Sequence, residues 1–183
     1  MRLPQPDPKT LNPEQRALWD MIAGGPRGGV RGPYFALLHA PKLCAQVEAL
    51  ARFLRFECSI PQRLRELVIL VTGRRWNAEY EWFAHEPFAQ KHGVSQAVID
   101  AIREWRSPPF ELEDERAVYV FAHELAHTGF VSDANYQAVN AVLGDQGTVE
   151  LVGLIGNYTI VAMMLNTFQI GVPEGEKRPF TRS

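Results

Sequence analysis

Residues 66–93 read ELVILVTGRRWNAEYEWFAHEPFAQKHG, and the rest of the chain is organised around them. Helical periodicity on both sides of the polar break at 74–77 predicts a helix pair. On the second helix Glu81 and His85 stand four residues apart, which stacks a carboxylate and an imidazole on one face. Glu66 lies on the strongly apolar first helix, so it either joins them or pairs with Arg63 or Arg65. Such a set can move a proton near neutral pH, because histidine titrates there and burial can push a glutamate there. Pro87 should kink the second helix and free the carbonyl of Phe83, which could orient a ring nitrogen of His85.

Working outward, every other well-defined segment also has helical period. Asn12-Pro13-Glu14 starts a helix that ends at Gly24-Gly25-Pro26. A short helix at 34–39 is broken by Pro41, and the next runs to about Phe56. Pro61 opens the helix that carries Glu66, and Gly93 ends its partner before Ser95 caps another. A helix over 113–128 follows the Ser107-Pro108-Pro109 break. Ser132 caps a helix to Leu143, Gly144 and Gly147 break it, and Thr148 caps the long last one. No two-residue alternation bounded by hairpin turns occurs, so the fold class is all-α, a helical bundle.

The chain has 183 residues, 46% of them hydrophobic, which suits one domain with an N-terminal arm at 1–12 and a polar tail at 171–183. Nineteen Lys and Arg face 21 Asp and Glu, so charge offers no case for nucleic acid or an anionic membrane. The apolar stretch 151–170 is interrupted by Gly153, Gly156, Asn157, Asn166 and Gln169, the pattern of a buried helix rather than a membrane span. Two cysteines and a proline-punctuated start make the cytoplasm the expected compartment.

Three further groups bear on function. The loop 25–33 holds Arg27 and Arg31, which read either as a clamp for a substrate carboxylate or as part of a surface connection. Asn157 and Tyr158 are the polar groups of the last helix that could reach a pocket, or else are satisfied by neighbours. His123-Glu124-Leu125-Ala126-His127 matches H-E-x-x-H, a zinc-binding spacing. No histidine follows it, so a third ligand would have to be Asp133 or Glu150, and we read the match as coincidence. His39 reads as a structural histidine.

The spacing of Glu66, Ala78, the E-Y-E-W of 79–82, His85 and the Gly-Val-Ser start at 93–95 resembles the carboxymuconolactone decarboxylase family, which includes the alkylhydroperoxidase D-like proteins. The segments GPRGGVRGPYFALLHAPKL at 25–43 and ELVGLIGNYTIVAMMLNTFQI at 150–170 resemble it too. The resemblance implies a bundle assembled as a trimer or hexamer, with Glu66 and His85 as proton-relay residues. The redox branch of that family has a C-x-x-C pair where this chain has Ala78 and Glu81, so cysteine-dependent peroxidase chemistry is not expected. Cys44 and Cys58 lie on other helices. What the resemblance implies instead is a decarboxylase, or a related lyase or isomerase, acting without cofactor on a small carboxylated lactone or keto acid. In that reading His85 relays the proton, Glu66 or Glu81 tunes it, Tyr80 donates a hydrogen bond, and Arg27 or Arg31 holds a carboxylate. The non-enzyme alternative is a small-molecule binding protein on the same scaffold.

Overall fold

The computed structural model describes residues 1–180; the last three residues of the expected tail lie outside them. The elements are α1 (Pro13–Gly24), α2 (Tyr34–Leu37), α3 (Pro41–Arg52), a π-helical turn (Phe53–Glu57), α4 (Gln62–Arg75), α5 (Glu79–Lys91), α6 (Gln96–Arg103), α7 (Glu113–Thr128) and α8 (Asp133–Thr167). No strand occurs among the described residues.

Helix α4 is the centre. Every residue from Leu64 to Arg74 is buried, the apolar run 67–71 together with Arg65, Glu66, Thr72 and Arg74, and α5, α6, α7 and α8 pack around it. Its buried arginines reach backbone oxygens: Arg65 donates to the Arg55 carbonyl and Arg74 to that of Arg103. The α4–α5 turn is closed by Asn77 at φ 49°, and Arg74 donates to its side-chain oxygen. The helices then run back closely, because Gly73 has no side chain; a Cβ there would lie 3.1 Å from Cγ of Glu81.

The expected caps at Asn12 and Ser95 form. Asn12 and Gln15 make a reciprocal capping box, and the Ser95 hydroxyl accepts from the Val98 N–H. Ser132 starts its helix as expected, but its hydroxyl donates to Glu124 instead of accepting from the helix, and two further expectations are corrected. The helix after Pro41 does not run on as regular α-helix to Phe56: its last turn is π-helical, closed by the Cys58 N–H on the Phe53 carbonyl at 2.9 Å. Near 144–148, the chain bends only at Gly144, whose φ of 66° is open to glycine. Gly147 lies buried within the helix, and the Thr148 hydroxyl donates back to the Gly144 carbonyl at 2.7 Å instead of capping.

Both ends of the described residues pack down. The Arg2 N–H donates to the Phe168 carbonyl at 2.8 Å, and His39 Nε2 donates to the Pro4 carbonyl at 3.0 Å. Phe180 sets its edge against Trp82 and lies under the Arg74 guanidinium. By length and composition α8 could cross a bilayer, with a mean hydropathy of 1.6 over its most apolar window. That window is 56% buried inside the bundle, which is where a core helix puts its apolar faces.

Candidate active site

A cavity of about 340 Å³ opens among the 25–33 loop, α3, the π-turn, α5 and α8. Of the residues singled out by the sequence, Tyr80, Glu81, His85, Arg27, Arg31, Asn157 and Tyr158 all line it. Glu66 stands one layer behind, on α4. Its Oε2 lies 2.7 Å from Nδ1 of His85, and both side chains are almost fully buried. Gln62 holds the other carboxylate oxygen at 2.7 Å.

The salt-bridge alternative for Glu66 is ruled out by where the arginines go. Arg63 pairs with Asp114 and Glu115, and Arg65 binds the Arg55 carbonyl and Gln62. Helix α5 runs through Pro87, whose missing N–H leaves the Phe83 carbonyl without its helical donor, but the imidazole is oriented by Glu66 rather than by that carbonyl. A carboxylate beside an imidazole is a stronger acceptor than a carbonyl and wins the contest for the ring N–H.

Protonation follows from burial and neighbours. Burial opposes the charge on Glu66, but the hydrogen bond and charge of His85, the Arg55 guanidinium and Gln62 outweigh it and hold the carboxyl below its ordinary range. Burial pulls the His85 pKa down, and although Glu66 pushes it up, Arg55 and Arg27 add to the lowering. The pair is therefore a neutral imidazole donating Nδ1–H to a carboxylate. With Nδ1 committed to Glu66, the edge carrying Nε2 is left for the cavity.

Glu81 behaves oppositely. Burial, helped by the charge of Glu66, pushes its pKa well above the usual range despite Arg55 and Arg27. It is a neutral acid one helical turn from a neutral base, and its Oε1 is buried without a protein partner. Burial likewise keeps the Tyr158 and Tyr80 hydroxyls protonated. Tyr158 presents an edge-on ring to His85 at 5.2 Å. Tyr80 lies where Gly32, at φ 59°, leaves room; a Cβ there would be 2.3 Å from the ring.

Of the two arginines in the glycine-rich loop, Arg27 is the inward one. Its Nε donates to Glu48 Oε2 at 3.0 Å, an oxygen that also accepts from the Tyr34 hydroxyl, while its Nη2 is buried with no protein partner. Arg31 is exposed and folds the loop by donating to the carbonyls of Arg27 and Gly28. Asn157 is 2% exposed, and neither of its amide atoms has a protein partner.

Sequence reasoning missed Arg55, Tyr34 and Glu48. Arg55 and Tyr34 line the cavity, and Glu48 holds Arg27 from α3. The interleaving of Arg52 and Arg55 with Phe53 and Phe56 was the one available signal, and only the π-turn decides where Arg55 points.

The H-E-x-x-H residues serve packing. His127 Nδ1 donates to the His123 carbonyl at 2.8 Å, and the two rings stack at 4.0 Å. Glu124 accepts from the Ser132 N–H and hydroxyl and from Asn135, tying α7 to the start of α8. Glu150 is held by Ser59 and Gln146. No cluster of three or more His, Cys, Asp or Glu suited to a metal ion occurs among the described residues. Neither cysteine lines the cavity: burial pushes the Cys44 thiol up to about 11, and Cys58 donates to the Leu54 carbonyl.

No family model matches the sequence, and no curated protein does. Solved structures match the fold. An uncharacterised peroxidase-related protein from Ralstonia eutropha JMP134, described as an alkylhydroperoxidase AhpD core, superposes with a TM-score of 0.78 at 18% identity over 94% of this chain and 92% of its own. A peroxidase-related protein from Silicibacter sp. TM1040 gives 0.75 at 15% identity, covering 96% and 91%. The debrominase Bmp8 gives 0.73 at 14% identity, covering 95% and 94%; a variant of it, solved in complex with 2,3,4-tribromopyrrole, gives 0.70 at 15%, covering 93% and 91%. What the chain shares with them is the all-helical AhpD-like fold.

Proposed function

We propose that this chain is an acid–base enzyme that decarboxylates, or isomerises by proton transfer, a small carboxylated lactone or keto acid, working with its own side chains alone. The observation that carries the reading is the buried Glu66–His85 pair at 2.7 Å, behind a cavity that also holds Glu81, whose Oε1 is buried without a protein partner.

In decarboxylation the substrate carboxylate leaves as carbon dioxide, and the electrons of the broken carbon–carbon bond move into the conjugated system as a dienolate. Glu81, kept protonated, supplies the proton that quenches it. His85 Nε2 then accepts a proton from solvent when the product leaves and passes it to the Glu81 carboxylate, which restores the acid, with Glu66 stabilising the imidazolium while it exists. The Tyr80 and Tyr158 hydroxyls are donors for the developing oxyanion in a dry site. For isomerisation the same acid and base act on the two ends of an allylic system.

The resemblance to carboxymuconolactone decarboxylases favours the first reaction. A neighbour of this fold that takes a small flat heterocycle agrees with the cavity size. A thiol peroxidase route has no cysteine at the cavity to use. The test is carbon dioxide release from a panel of carboxylated lactones and vinylogous keto acids. Wild type should release it, and His85→Ala should be slower by about a hundredfold or more, assayed at a temperature where its circular dichroism shows it folded, since the variant leaves the buried Glu66 without its partner. Equal rates for both proteins would remove His85 from the reaction, and no release on any substrate would remove decarboxylation.

A further inference from the structure

We infer that the cavity selects a flat organic monoanion and that Arg55 is the residue that holds its carboxylate. The inference rests on the cavity being a substrate site and adds which charge it takes and where.

Three guanidinium groups, Arg27, Arg31 and Arg55, stand in the cavity wall. Arg27 is ion-paired with Glu48. Arg31 spends its hydrogen bonds on backbone carbonyls and lies out in solvent. Arg55 is different: its guanidinium has no carboxylate and no hydrogen-bond acceptor among the described residues. It is instead placed over the rings of Phe56 and Phe88, at 5.4 and 5.3 Å. Aromatic faces fix a guanidinium without occupying its N–H groups, so the five-donor fork stays available for a planar carboxylate.

Charge balance sets the number of anions. With Glu81 neutral, the carboxylates of Glu48 and Glu66 offset two of the three arginines, and one positive charge is left over. Its field reaches the reactive groups, since Arg55 acts on Glu66, Glu81, His85, Tyr80 and Tyr158 alike. A monoanion neutralises the site; a neutral ligand leaves Arg55 half-buried and unpaired. Asn157 adds a second polar requirement, because its buried amide asks for both an acceptor and a donor. Phe83, Phe88 and the Tyr158 ring give the walls between these points, which suits a flat body.

The test uses binding, read by calorimetry on the intact chain, with benzoate and its neutral isostere benzamide as probes. Wild type should bind benzoate at least about tenfold more tightly, as a charge-assisted pair requires. Arg55→Gln should lose that preference while keeping the benzamide affinity, and an unchanged melting temperature shows that it folds. Equal affinities in wild type, no binding of either probe, or a preference that survives in Arg55→Gln each overturns the inference. Turnover is read separately: a protein that prefers benzoate through Arg55 but releases no carbon dioxide keeps this inference and loses the decarboxylase reading. Release of carbon dioxide without the preference does the reverse.

Discussion

His85 and Glu81 sit four residues apart on one helix, and the same burial moves their pKa values in opposite directions because it favours the neutral form of each. His85 has Glu66 within 2.7 Å, whereas the nearest influence on Glu81 other than burial is a set of charges at longer range. Replacing Glu66 with Gln should therefore weaken the orientation of the ring and remove the only influence that raises its pKa. Turnover should fall by about tenfold to a hundredfold. The acid limb of the pH–rate profile should move to lower pH, whereas a purely structural role would leave that limb where it was. Glu81 gives a second prediction, about stability. Its folded pKa is raised above the ordinary 4.5, so its contribution is fully present below that value and is lost as pH rises toward the folded pKa. Glu81→Gln stays neutral throughout, so the variant should match wild type in stability at acid pH and exceed it above 4.5. The gap should widen by about 1.4 kcal/mol per pH unit until Glu81 ionises. Urea melts at about pH 4 and about pH 7 decide it: a variant less stable than wild type at the higher pH would mean that Glu81 is ionised and satisfied.

The α4–α5 pair holds these groups in register, and Gly73 is where the two helices come closest to the acid. A methyl at 73 would lie 3.1 Å from Cγ of Glu81, so the carboxyl must shift by a few tenths of an ångström. Gly73→Ala should slow turnover by about tenfold or more, because proton transfer is sensitive to such displacements. Its melting temperature should move little, since alanine favours a helix interior by about 1 kcal/mol over glycine. A large loss of stability with proportionate loss of activity would mean that packing, not placement, is at stake. This helix pair was the part most legible in the sequence, because Glu81 and His85 are fixed relative to each other by helical period alone. Glu66 needed a tertiary contact, and the residues alone left it open between His85 and two neighbouring arginines. Arg55 was not legible, since its direction depends on a π-turn that no local pattern announces. The bend of α8 was misplaced in part because Gly144 and Gly147 look alike in sequence, and only the packing of Gly147 against Leu143 separates them.

The bundle leaves an apolar strip on the outside of α3. Leu43 and Leu50 lie two turns apart on one face and Phe53 follows a turn later, with exposures of 47%, 42% and 39%. The strip runs on through Phe56 to Phe88, each 39% exposed, and these are the two rings that position Arg55 at the cavity. We propose that these exposed apolar side chains form part of an interface. The trimer or hexamer that the sequence resemblance implies makes another copy of the chain the partner we propose. We therefore expect a mass three or six times that of one chain by light scattering after gel filtration. Leu50→Glu should shift it toward the single chain, because a carboxylate in the centre of an apolar contact is desolvated without a counter-charge. If the strip shields the cavity rim, the dissociated variant should also bind benzoate more weakly by a few-fold, as Phe56 and Phe88 become mobile and Arg55 loses its fixed position. A wild-type chain that runs as a single copy would end the interface reading, and a dissociated variant with full benzoate affinity would separate assembly from the site.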